Sequence, residues 1–276
     1  MQLAFSSNAF KKTDLFEAAR LIASAGYTGM EVMADVPHAY PPAFDASMRK
    51  KFRRLLSEHH LTVSNINAFT LFARGDTYHP TWIEHDQALR AARVEHTVQA
   101  IQLACDLGAK TVSVQPGGPT IGLGLTTDQA LLRFADGLDA VLPAARKTGV
   151  VLAIEPEPGL LLQSADEYIN FKRRFFVDEK HVGMNCDMGH LFCVGDDPVS
   201  VVRQFPAEIA HVHLEDIGKN HVHQHLPLGK GNMDIAGILQ ALRDVEYAGW
   251  ITVELYPYVS SAAEVAREAM TYLQAC

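Results

Sequence analysis

Cysteine is scarce in this chain. Only Cys105, Cys186, Cys193 and Cys276 occur among its 276 residues, and no two of them form a CxxC pair. So few cysteines in a chain of this length argue against a disulfide framework. We expect these thiols to be reduced and buried.

Long apolar runs and a secretion signal are also absent. No apolar stretch reaches the roughly 18 residues that a membrane span requires. The N-terminal segment reaches Lys11 and Lys12 only after its first apolar run, whereas a secretion signal carries its charges before that run. These absences predict a cytoplasmic protein that has no membrane partner.

The chain has no block of basic residues, and its formal net charge is −8. Binding to duplex nucleic acid requires a basic face for the phosphate backbone, so we expect no nucleic-acid partner. A negative net charge does not exclude a local basic pocket. Hydrophobic residues make up 48% of the chain and charged residues 20%, and this composition supports a large buried core.

No linker rich in glycine, serine or proline divides the sequence, so we predict one domain over residues 1–276. Short apolar runs alternate with amphipathic helical segments to the end, and the length matches a barrel of about 250 residues. We predict an α/β fold, a single (β/α)8 TIM barrel, with an open doubly wound sheet as the alternative. The predicted strands are Leu3–Ser6, Gly29–Met33, Thr62–Asn67, Thr111–Gln115, Val151–Glu155, Val182–Asp187, Ile209–Leu214 and Ile251–Leu255.

Four residues that can bind a metal lie at or near the ends of the last four predicted strands: Glu155, Asp187, His213 and Glu254. A single carboxylate at a strand end is usually a solvated loop residue or a helix cap. In a barrel, however, successive strand ends lie side by side, and active sites form there. Carboxylates packed together repel one another unless a cation is present. We predict a divalent-metal site whose oxygen and nitrogen donors suit Mn²⁺, Mg²⁺ or Co²⁺, with Zn²⁺ as an alternative.

Six segments, in order along the chain, resemble a known family. They are AGYTGME (25–31), AIEPEP (153–158), NCDMGH (185–190), HVHLED (211–216), LGKGNMD (228–234) and ITVEL (251–255). With these segments the chain resembles the sugar isomerase and epimerase barrels of the xylose-isomerase-like superfamily. That superfamily also includes the endonuclease IV type of repair enzyme.

The resemblance implies a metal centre and a reaction. Glu155, Asp187, His213 and Glu254 are implied as metal ligands, Glu155 and Glu254 also as catalytic acid and base, and His190 as a substrate-binding residue. The metal would polarise the carbonyl of a hydroxyketone and acidify the adjacent C–H. One carboxylate would remove that proton to give a metal-stabilised enediolate, and the other would return it. The expected activity is that of a divalent-metal-dependent sugar or sugar-phosphate isomerase/epimerase.

Three further residues near strand ends are candidates for contact with substrate. Glu31 closes the AGYTGME segment, and we expect it either to hydrogen-bond a substrate hydroxyl or to form a structural pair with a cation of the barrel. Gln115 and Asn67 end their predicted strands, and each is expected either to face substrate hydroxyls or to bind a loop.

A histidine-rich stretch contains His221, His223 and His225. Alternating histidines are usually a solvated loop. The resemblance to endonuclease IV makes a second metal site of His190, His223 and His225 conceivable, and imidazoles suit zinc. Otherwise His225, together with Lys230, is expected to contact the distal part of the substrate.

Departures from the family pattern keep other functions open. Endonuclease IV relatives carry histidines where this chain has Asn67 and Gln115, which argues against a three-metal centre that cleaves phosphodiesters. Glu215 replaces the lysine of the common HLKD segment, which weakens the expectation of an anionic substrate. Ketose 3-epimerases carry a second glutamate farther along strand five, where this chain has Leu161, and Glu157 lies closer to the strand.

The alternatives are therefore a keto-polyol dehydratase of the keto-inositol type, an endonuclease IV-like phosphodiester hydrolase, or a barrel that binds a sugar or metal without turnover. The expected partner is a small-molecule sugar or sugar phosphate.

The long loops Asp35–Asp45, Phe69–Glu84 and Gln115–Thr126 are expected to crowd the catalytic mouth. A homo-oligomer is conceivable, because Trp82 and the Phe69–Glu84 loop could cover the pocket of their own chain or that of a neighbour.

Overall fold

Eight parallel strands close into a barrel in the order of the sequence. The computed structural model describes residues 1–276. Pairing of the first and last strands, with Gln2 beside Trp250 and Phe5 beside Val253, closes the ring and excludes the open sheet. The strands are β1 Gln2–Ser6, β2 Gly29–Met33, β3 Thr62–Asn67, β4 Thr111–Val114, β5 Val151–Ile154, β6 Val182–Asp187, β7 Ile209–Leu214 and β8 Trp250–Val253. The prediction of a (β/α)8 TIM barrel is confirmed.

Helices connect consecutive strands and surround the barrel. They are α1 Leu15–Ser24, α2 Ala46–Glu58, α3 Gln87–Leu107, α4 Thr127–Thr148, α5 Ala165–Phe175, α6 Met188–Val194, α7 Pro198–Gln204, α8 Ile235–Asp244 and α9 Ala262–Ala275. Two short 3-10 helices cover Ser7–Phe10 and Pro206–Glu208. There are nine α-helices rather than eight because the β6–β7 connection contains two. Gly195, at φ +90°, ends α6 in the left-handed conformation, and Asp197 caps the start of α7.

Most of the strand residues are buried, as expected for a parallel barrel covered by helices. The hydrophobic core contains 75 buried residues, including Trp82. The Trp82 ring packs against Phe134 with centroids 5.8 Å apart and lies against Gly137, where a Cβ atom would approach the indole to 2.8 Å. Trp82 is therefore a core residue, and the expectation that it covers a pocket is wrong.

The long β3–α3 loop, residues 68–86, folds over the C-terminal mouth of the barrel and is held by buried polar side chains. The Asp35 carboxylate accepts hydrogen bonds from the Thr70 hydroxyl at 2.9 Å and from the Ala73 amide at 3.1 Å. The buried Arg93 guanidinium donates to the Pro80 carbonyl at 2.8 Å and to the Phe69 carbonyl at 3.0 Å. These bonds fix the position of the loop over the mouth.

All four cysteines are free, but only Cys186 is buried. Cys105 and Cys276 are exposed and Cys193 is partly exposed, so the expectation of buried thiols is wrong for these three. None of the helices has the length and apolar character needed to cross a membrane.

Candidate active site

A cavity of about 350 Å³ opens at the C-terminal ends of the strands. This volume lies within the range of sites for small molecules. Carboxylates and imidazoles line one part of the wall, and aromatic side chains line much of the rest. The residues on the wall are Asn8, Lys11, Met33, Asn67, Phe69, Thr70, Phe72, Thr77, Tyr78, Glu155, Glu157, His190, His223, Glu254 and Tyr256.

The closed parallel barrel brings the four predicted metal ligands to this mouth. Asp187 is the last residue of β6 and caps α6 by accepting the His190 amide at 2.8 Å. His213 is the next-to-last residue of β7. Glu155 and Glu254 each follow their strand by one residue, and their amides still donate to the neighbouring strand at 3.1 Å. The backbone at Glu155 and Glu254 therefore still belongs to the hydrogen-bonded sheet.

The four side chains meet at one point. The Nδ1 atom of His213 lies 3.0 Å from Glu155 Oε1 and 3.7 Å from both Asp187 Oδ2 and Glu254 Oε1. One ligand atom from each of the four residues lies within 4.8 Å of the others, and all four residues are buried. Three oxygens and one imidazole nitrogen thus surround a volume suited to a single cation.

Two buried oxygens in this cluster have no hydrogen-bond partner, Glu155 Oε2 and Asp187 Oδ2. An unpaired buried carboxylate oxygen is costly. Burial is also the main reason why the pKa values of Glu155 and Glu254 are raised, that of Glu254 well above the ordinary range. A divalent cation would satisfy the free oxygens and favour the ionised carboxylates, so the residues present fit a metal ion.

Glu31 lies behind His213 and does not line the cavity. Its Oε2 atom accepts from His213 Nε2 at 2.6 Å and from Asn65 Nδ2 at 2.8 Å, and its Oε1 atom accepts from Ser6 Oγ at 2.6 Å. Burial raises the Glu31 pKa, but the charge and hydrogen bond of His213 outweigh it and lower the pKa to about 2. Of the two expectations for Glu31, the geometry matches the structural pair. The reason is that β2 continues to Met33, so Glu31 lies one layer deeper in the barrel.

Gln115 is also placed away from the cavity. Its side-chain amide donates to the carbonyl oxygens of Thr77 at 3.2 Å and Tyr78 at 3.0 Å, and the residue is fully buried. This geometry matches the expectation of a loop hydrogen bond. Asn67 does line the cavity, and its amide donates to Glu31 at 3.1 Å and to Glu254 at 3.4 Å.

His190, His223 and His225 form a second cluster beside the carboxylates. The ring centroid of His190 lies 4.4 Å from that of His223 and 5.6 Å from that of His225. His223 Nε2 lies 3.2 Å from His225 Nε2. His190 and His223 line the cavity, whereas His225 lies behind them and binds the Glu254 carbonyl oxygen at 2.9 Å. Burial lowers the pKa of His190 to about 4 and that of His225 to about 3, so both rings are neutral near pH 7.

Several cavity residues were missed by the sequence reasoning. Asn8 follows β1 by two residues, and its amide donates to Glu254 Oε1 at 2.7 Å. Inspection of every strand end, including the first, would have found it. Glu157 lines the wall and accepts from the Tyr78 hydroxyl at 3.0 Å. Burial, and then the Glu155 carboxylate, raise the Glu157 pKa to about 8.

Lys11, Tyr78 and Tyr256 reach the cavity from loops. The Lys11 ammonium lies 5.7 Å from the centre of the Phe72 ring and 5.9 Å from that of Tyr256. No periodic pattern marks these positions in the sequence, because the course of a loop depends on what it packs against.

Glu215, in the HVHLED segment, is buried outside the cavity, and neither of its side-chain oxygens has a hydrogen-bond partner. It lies beside Asp187 and His225. A Cβ atom at Gly189 would come within 1.8 Å of Glu215 Oε1, so the carboxyl group occupies space that only glycine leaves free. Burial raises its pKa well above the ordinary range. Its position behind Asp187 means that it does not face a substrate directly.

Comparison with known proteins identifies the family. The model of the xylose isomerase-like TIM barrel family matches residues 19–276. An inosose dehydratase of Lacticaseibacillus casei is 26% identical over 272 residues, covering 91% of this chain and 86% of that protein.

Solved structures share the architecture. A 3-keto-D-glucoside 4-epimerase from E. coli superposes with a TM-score of 0.81 at 18% identity over the full length of both chains. The IOLI protein, solved with a bound zinc atom, superposes with a TM-score of 0.80 at 17% identity, covering 99% of this chain and 96% of that one. With the family model spanning nearly the whole barrel, the chain belongs to the xylose isomerase-like TIM barrel family.

Proposed function

We propose that this protein is a divalent-metal-dependent isomerase or epimerase that acts on a small sugar or a related polyhydroxy ketone. The observation that carries the proposal is the meeting of Glu155, Asp187, His213 and Glu254 beside the cavity, with two buried oxygens left unpaired. The family includes relatives named as an epimerase and as a dehydratase, which supports chemistry on this class of substrate.

These four residues would hold the metal, and His213 would bind it through Nδ1. A ligating histidine usually donates its other ring N–H to a carboxylate, which fixes the ring. Glu31 stands in that position, 2.6 Å from His213 Nε2. We therefore assign Glu31 to positioning of His213. When bound, the metal supplies polarisation of the ketone carbonyl, which acidifies the adjacent C–H.

Glu155 and Glu254 are proposed as the groups that move the proton. They follow β5 and β8, which are not neighbours, so they reach the cavity from different sides. One removes the proton next to the carbonyl, and the other returns a proton to the opposite face in an epimerisation. Return to the neighbouring carbon interconverts a ketose and an aldose. Asn8 holds Glu254 by donating to Oε1, whereas Glu155 keeps one oxygen free of protein donors.

The metal is proposed as Mn²⁺, Mg²⁺ or Co²⁺, because three carboxylate oxygens and one imidazole suit these ions. Zinc is the alternative, and the bound zinc of the IOLI protein supports it. The neighbouring cluster of His190, His223 and His225 also consists of donors that zinc prefers. His190 lines the cavity and is proposed to bind substrate.

A dehydratase is the second candidate, favoured by the similarity to inosose dehydratase over 91% of the chain. It begins with the same proton removal next to a carbonyl and then expels a hydroxyl group from the next carbon as water. A phosphodiester hydrolase is less well supported. The cavity wall carries one ammonium group and no guanidinium group, so it has little to bind the phosphates of a nucleic acid.

Solvent deuterium exchange tests the proposal. The protein loaded with Mn²⁺ is incubated in D₂O with 2-keto-myo-inositol, D-tagatose or L-ribulose 5-phosphate and followed by NMR. We expect deuterium to appear next to the carbonyl of at least one ketone, with formation of an epimer, an aldose or a dehydration product. The product identifies the reaction. Absence of exchange in a broad panel of ketones, with the metal bound, would refute the assignment.

A further inference from the structure

The cavity wall is poor in cations. Lys11 is the single lysine among the lining residues, and no arginine is present. The Lys11 ammonium packs over the rings of Phe72 and Tyr256, and its charge interacts with Glu254. Phosphate groups are usually bound by arginine forks or by backbone N–H groups at a helix N-terminus. The wall supplies no arginine fork, and its one ammonium group is packed over two aromatic rings.

A carboxyl group that is not part of the metal centre also faces the cavity. Glu157 follows Glu155 by two residues, is 4% exposed, and lines the wall. Its Oε1 atom accepts from the Tyr78 hydroxyl at 3.0 Å and lies 3.8 Å from His223 Nδ1. Tyr78 is the only side chain that donates a hydrogen bond to this carboxyl group, so capacity remains for a ligand.

Hydrogen bonds to the backbone fix the positions of both Glu157 and Tyr78. The Glu157 amide donates to the Leu162 carbonyl, and the Leu160 amide donates to the Glu157 carbonyl, each at 3.1 Å. The Tyr78 carbonyl accepts from the Gln115 side chain at 3.0 Å. The Glu157–Tyr78 pair therefore joins the β3–α3 loop to the β5–α5 loop across the mouth, and its position is fixed before any ligand arrives.

Aromatic rings complete the wall around this pair. Phe69, Phe72 and Tyr256 line the cavity, and the Phe69 ring lies 6.4 Å from that of Tyr78 in an edge-on arrangement. Apolar faces beside a few fixed polar groups are typical of sites for small molecules. Such a wall suits a carbohydrate, whose C–H faces pack on aromatic rings while its hydroxyls reach the polar groups.

We propose that the cavity takes an uncharged polyhydroxylated ketone, and that Glu157, held by Tyr78, binds one of its hydroxyl groups. This proposal rests on the proposed function and narrows its substrate class. A carboxyl group can hydrogen-bond a hydroxyl in either protonation state, so binding of the hydroxyl group does not depend on the titration of Glu157. A phosphate at this place would find no arginine fork to bind it, and a missing partner for a charged group is an ordinary source of specificity.

Matched ligand pairs test the substrate class. Binding of D-tagatose and D-tagatose 6-phosphate, and of L-ribulose and L-ribulose 5-phosphate, is measured by calorimetry on the Mn²⁺-loaded protein, with 2-keto-myo-inositol as a ring ketone. We expect an uncharged ketone to bind at least about tenfold more tightly than the phosphates, a difference of about 1.4 kcal/mol. Equal or tighter binding of the phosphates, or binding of no uncharged ketone, overturns the proposal.

The same ligands separate this proposal from the proposed function. Deuterium exchange into a phosphorylated ketose but into no uncharged one refutes the substrate class and leaves the isomerase assignment standing. Exchange into no ketone of the panel refutes the isomerase assignment itself.

The role of Glu157 is tested by Glu157→Gln, which retains size and removes the acid. We expect the preference for the uncharged ketone over its phosphate to fall about tenfold, mainly through KM, with unchanged Mn²⁺ affinity. Tyr78→Phe, which removes only the hydroxyl, should weaken the preference in the same direction by less. Glu268→Gln, an exposed position on α9, is the matched control. An unchanged preference in both Glu157→Gln and Tyr78→Phe shows that this pair does not determine specificity.

Discussion

The two halves of the barrel contribute different chemistry to the mouth. The ends of β5 to β8 carry Glu155, Asp187, His213 and Glu254, all of which point to one place. The ends of β1 to β4 carry no donor of that cluster. The polar side chains there instead hydrogen-bond to residues of the cluster or to the β3–α3 loop. These side chains are Asn8, Glu31, Asn67 and Gln115.

This difference shows how a site of clustered carboxylates can be kept in order. A side chain that must bind a cation or move a proton needs a free atom toward the cavity and a fixed partner behind it. His213 has Glu31 as that partner, and Glu254 has Asn8. In the proposed mechanism, one half of the barrel supplies the metal ligands and the groups that move the proton, and the other supplies hydrogen bonds that orient them. Substitutions at the ends of β5 to β8 should therefore abolish most of the turnover, whereas those at the ends of β1 to β4 should change the metal affinity or the pH profile of kcat.

The largest effect is expected from substitution of the two carboxylates that are proposed to move the proton. Glu155→Gln and Glu254→Gln retain size but cannot accept a proton, so each should lower turnover by about 10²- to 10⁴-fold. Steady-state rates on whichever ketone shows deuterium exchange measure the effect, and Glu268→Gln serves as control. Full activity in either variant would remove that residue from the mechanism.

A smaller effect is expected from Glu31→Gln, in the other half. It weakens the acceptor that holds His213 Nε2 and removes no side chain from the cavity wall. Loss of such a partner typically lowers metal affinity by about 10- to 100-fold. Competition titration with Mn²⁺ measures this, and excess Mn²⁺ should restore much of the activity. Ser6→Ala, which removes one donor to the same carboxylate, should have a weaker effect. Unchanged affinity in Glu31→Gln would contradict the positioning role.

Asn8→Ala is expected to act on the rate more than on metal binding. It removes the 2.7 Å hydrogen bond to Glu254 Oε1. A hydrogen bond to a charged group contributes about 1.5–3 kcal/mol, so a tenfold or somewhat larger fall in kcat is expected. Comparing the pH profile of kcat with that of the unsubstituted protein shows whether Glu254 has changed its basicity. A variant that loses thermal stability but keeps kcat and its pH profile would place Asn8 among purely structural residues.

The smallest effect on activity is expected at a buried histidine outside the mouth. His96, on α3, is buried, and neither of its ring nitrogens has a hydrogen-bond partner. Burial, and then the charge of Arg93, lower its pKa from 6.5 to about 3. The unfolded chain therefore binds a proton near pH 6.5, while the folded protein does not until about pH 3. The stability that His96 contributes is complete above pH 6.5 and is lost as the pH falls between these values.

Each pH unit in that window corresponds to about 1.4 kcal/mol. His96→Leu should therefore flatten the pH dependence of the free energy of unfolding, by about 2 kcal/mol between pH 6.5 and pH 4.5, without loss of activity at pH 7. Urea unfolding at a series of pH values measures it. His59→Leu, at an exposed position, should leave the slope unchanged. An identical slope in the His96 variant would show that this ring is not the group that titrates.

Much of the fold was predictable because barrel strands have a local signature. The predicted β2, β3, β6 and β7 coincide with the observed bounds, and the others differ by one or two residues. The capping box of Thr126 and Gln129 is likewise a local signal, and it starts α4. The split of the β6–β7 connection into α6 and α7 was not predicted, since both helices are too short for a clear periodic pattern.

The candidate site was predictable to the extent that it depends on strand ends. Glu155, Asp187, His213 and Glu254 were selected because parallel strands of a barrel end at the same mouth. The other assignments were ambiguous for a physical reason. Glu31 and Gln115 have side chains that suit a substrate or a protein partner equally well, and only their neighbours in space decide between these roles.

The amino-acid sequence is sufficient to predict the barrel and the set of acidic and imidazole groups at its mouth, because both follow from repeating local patterns and from the order of the strands. The tertiary structure alone decided which polar groups face the cavity and which stand behind them. It also placed Lys11, Tyr78 and Glu157 on the wall. Loop course and the depth of a side chain in the barrel depend on contacts between residues far apart in the chain, and no local pattern encodes those contacts.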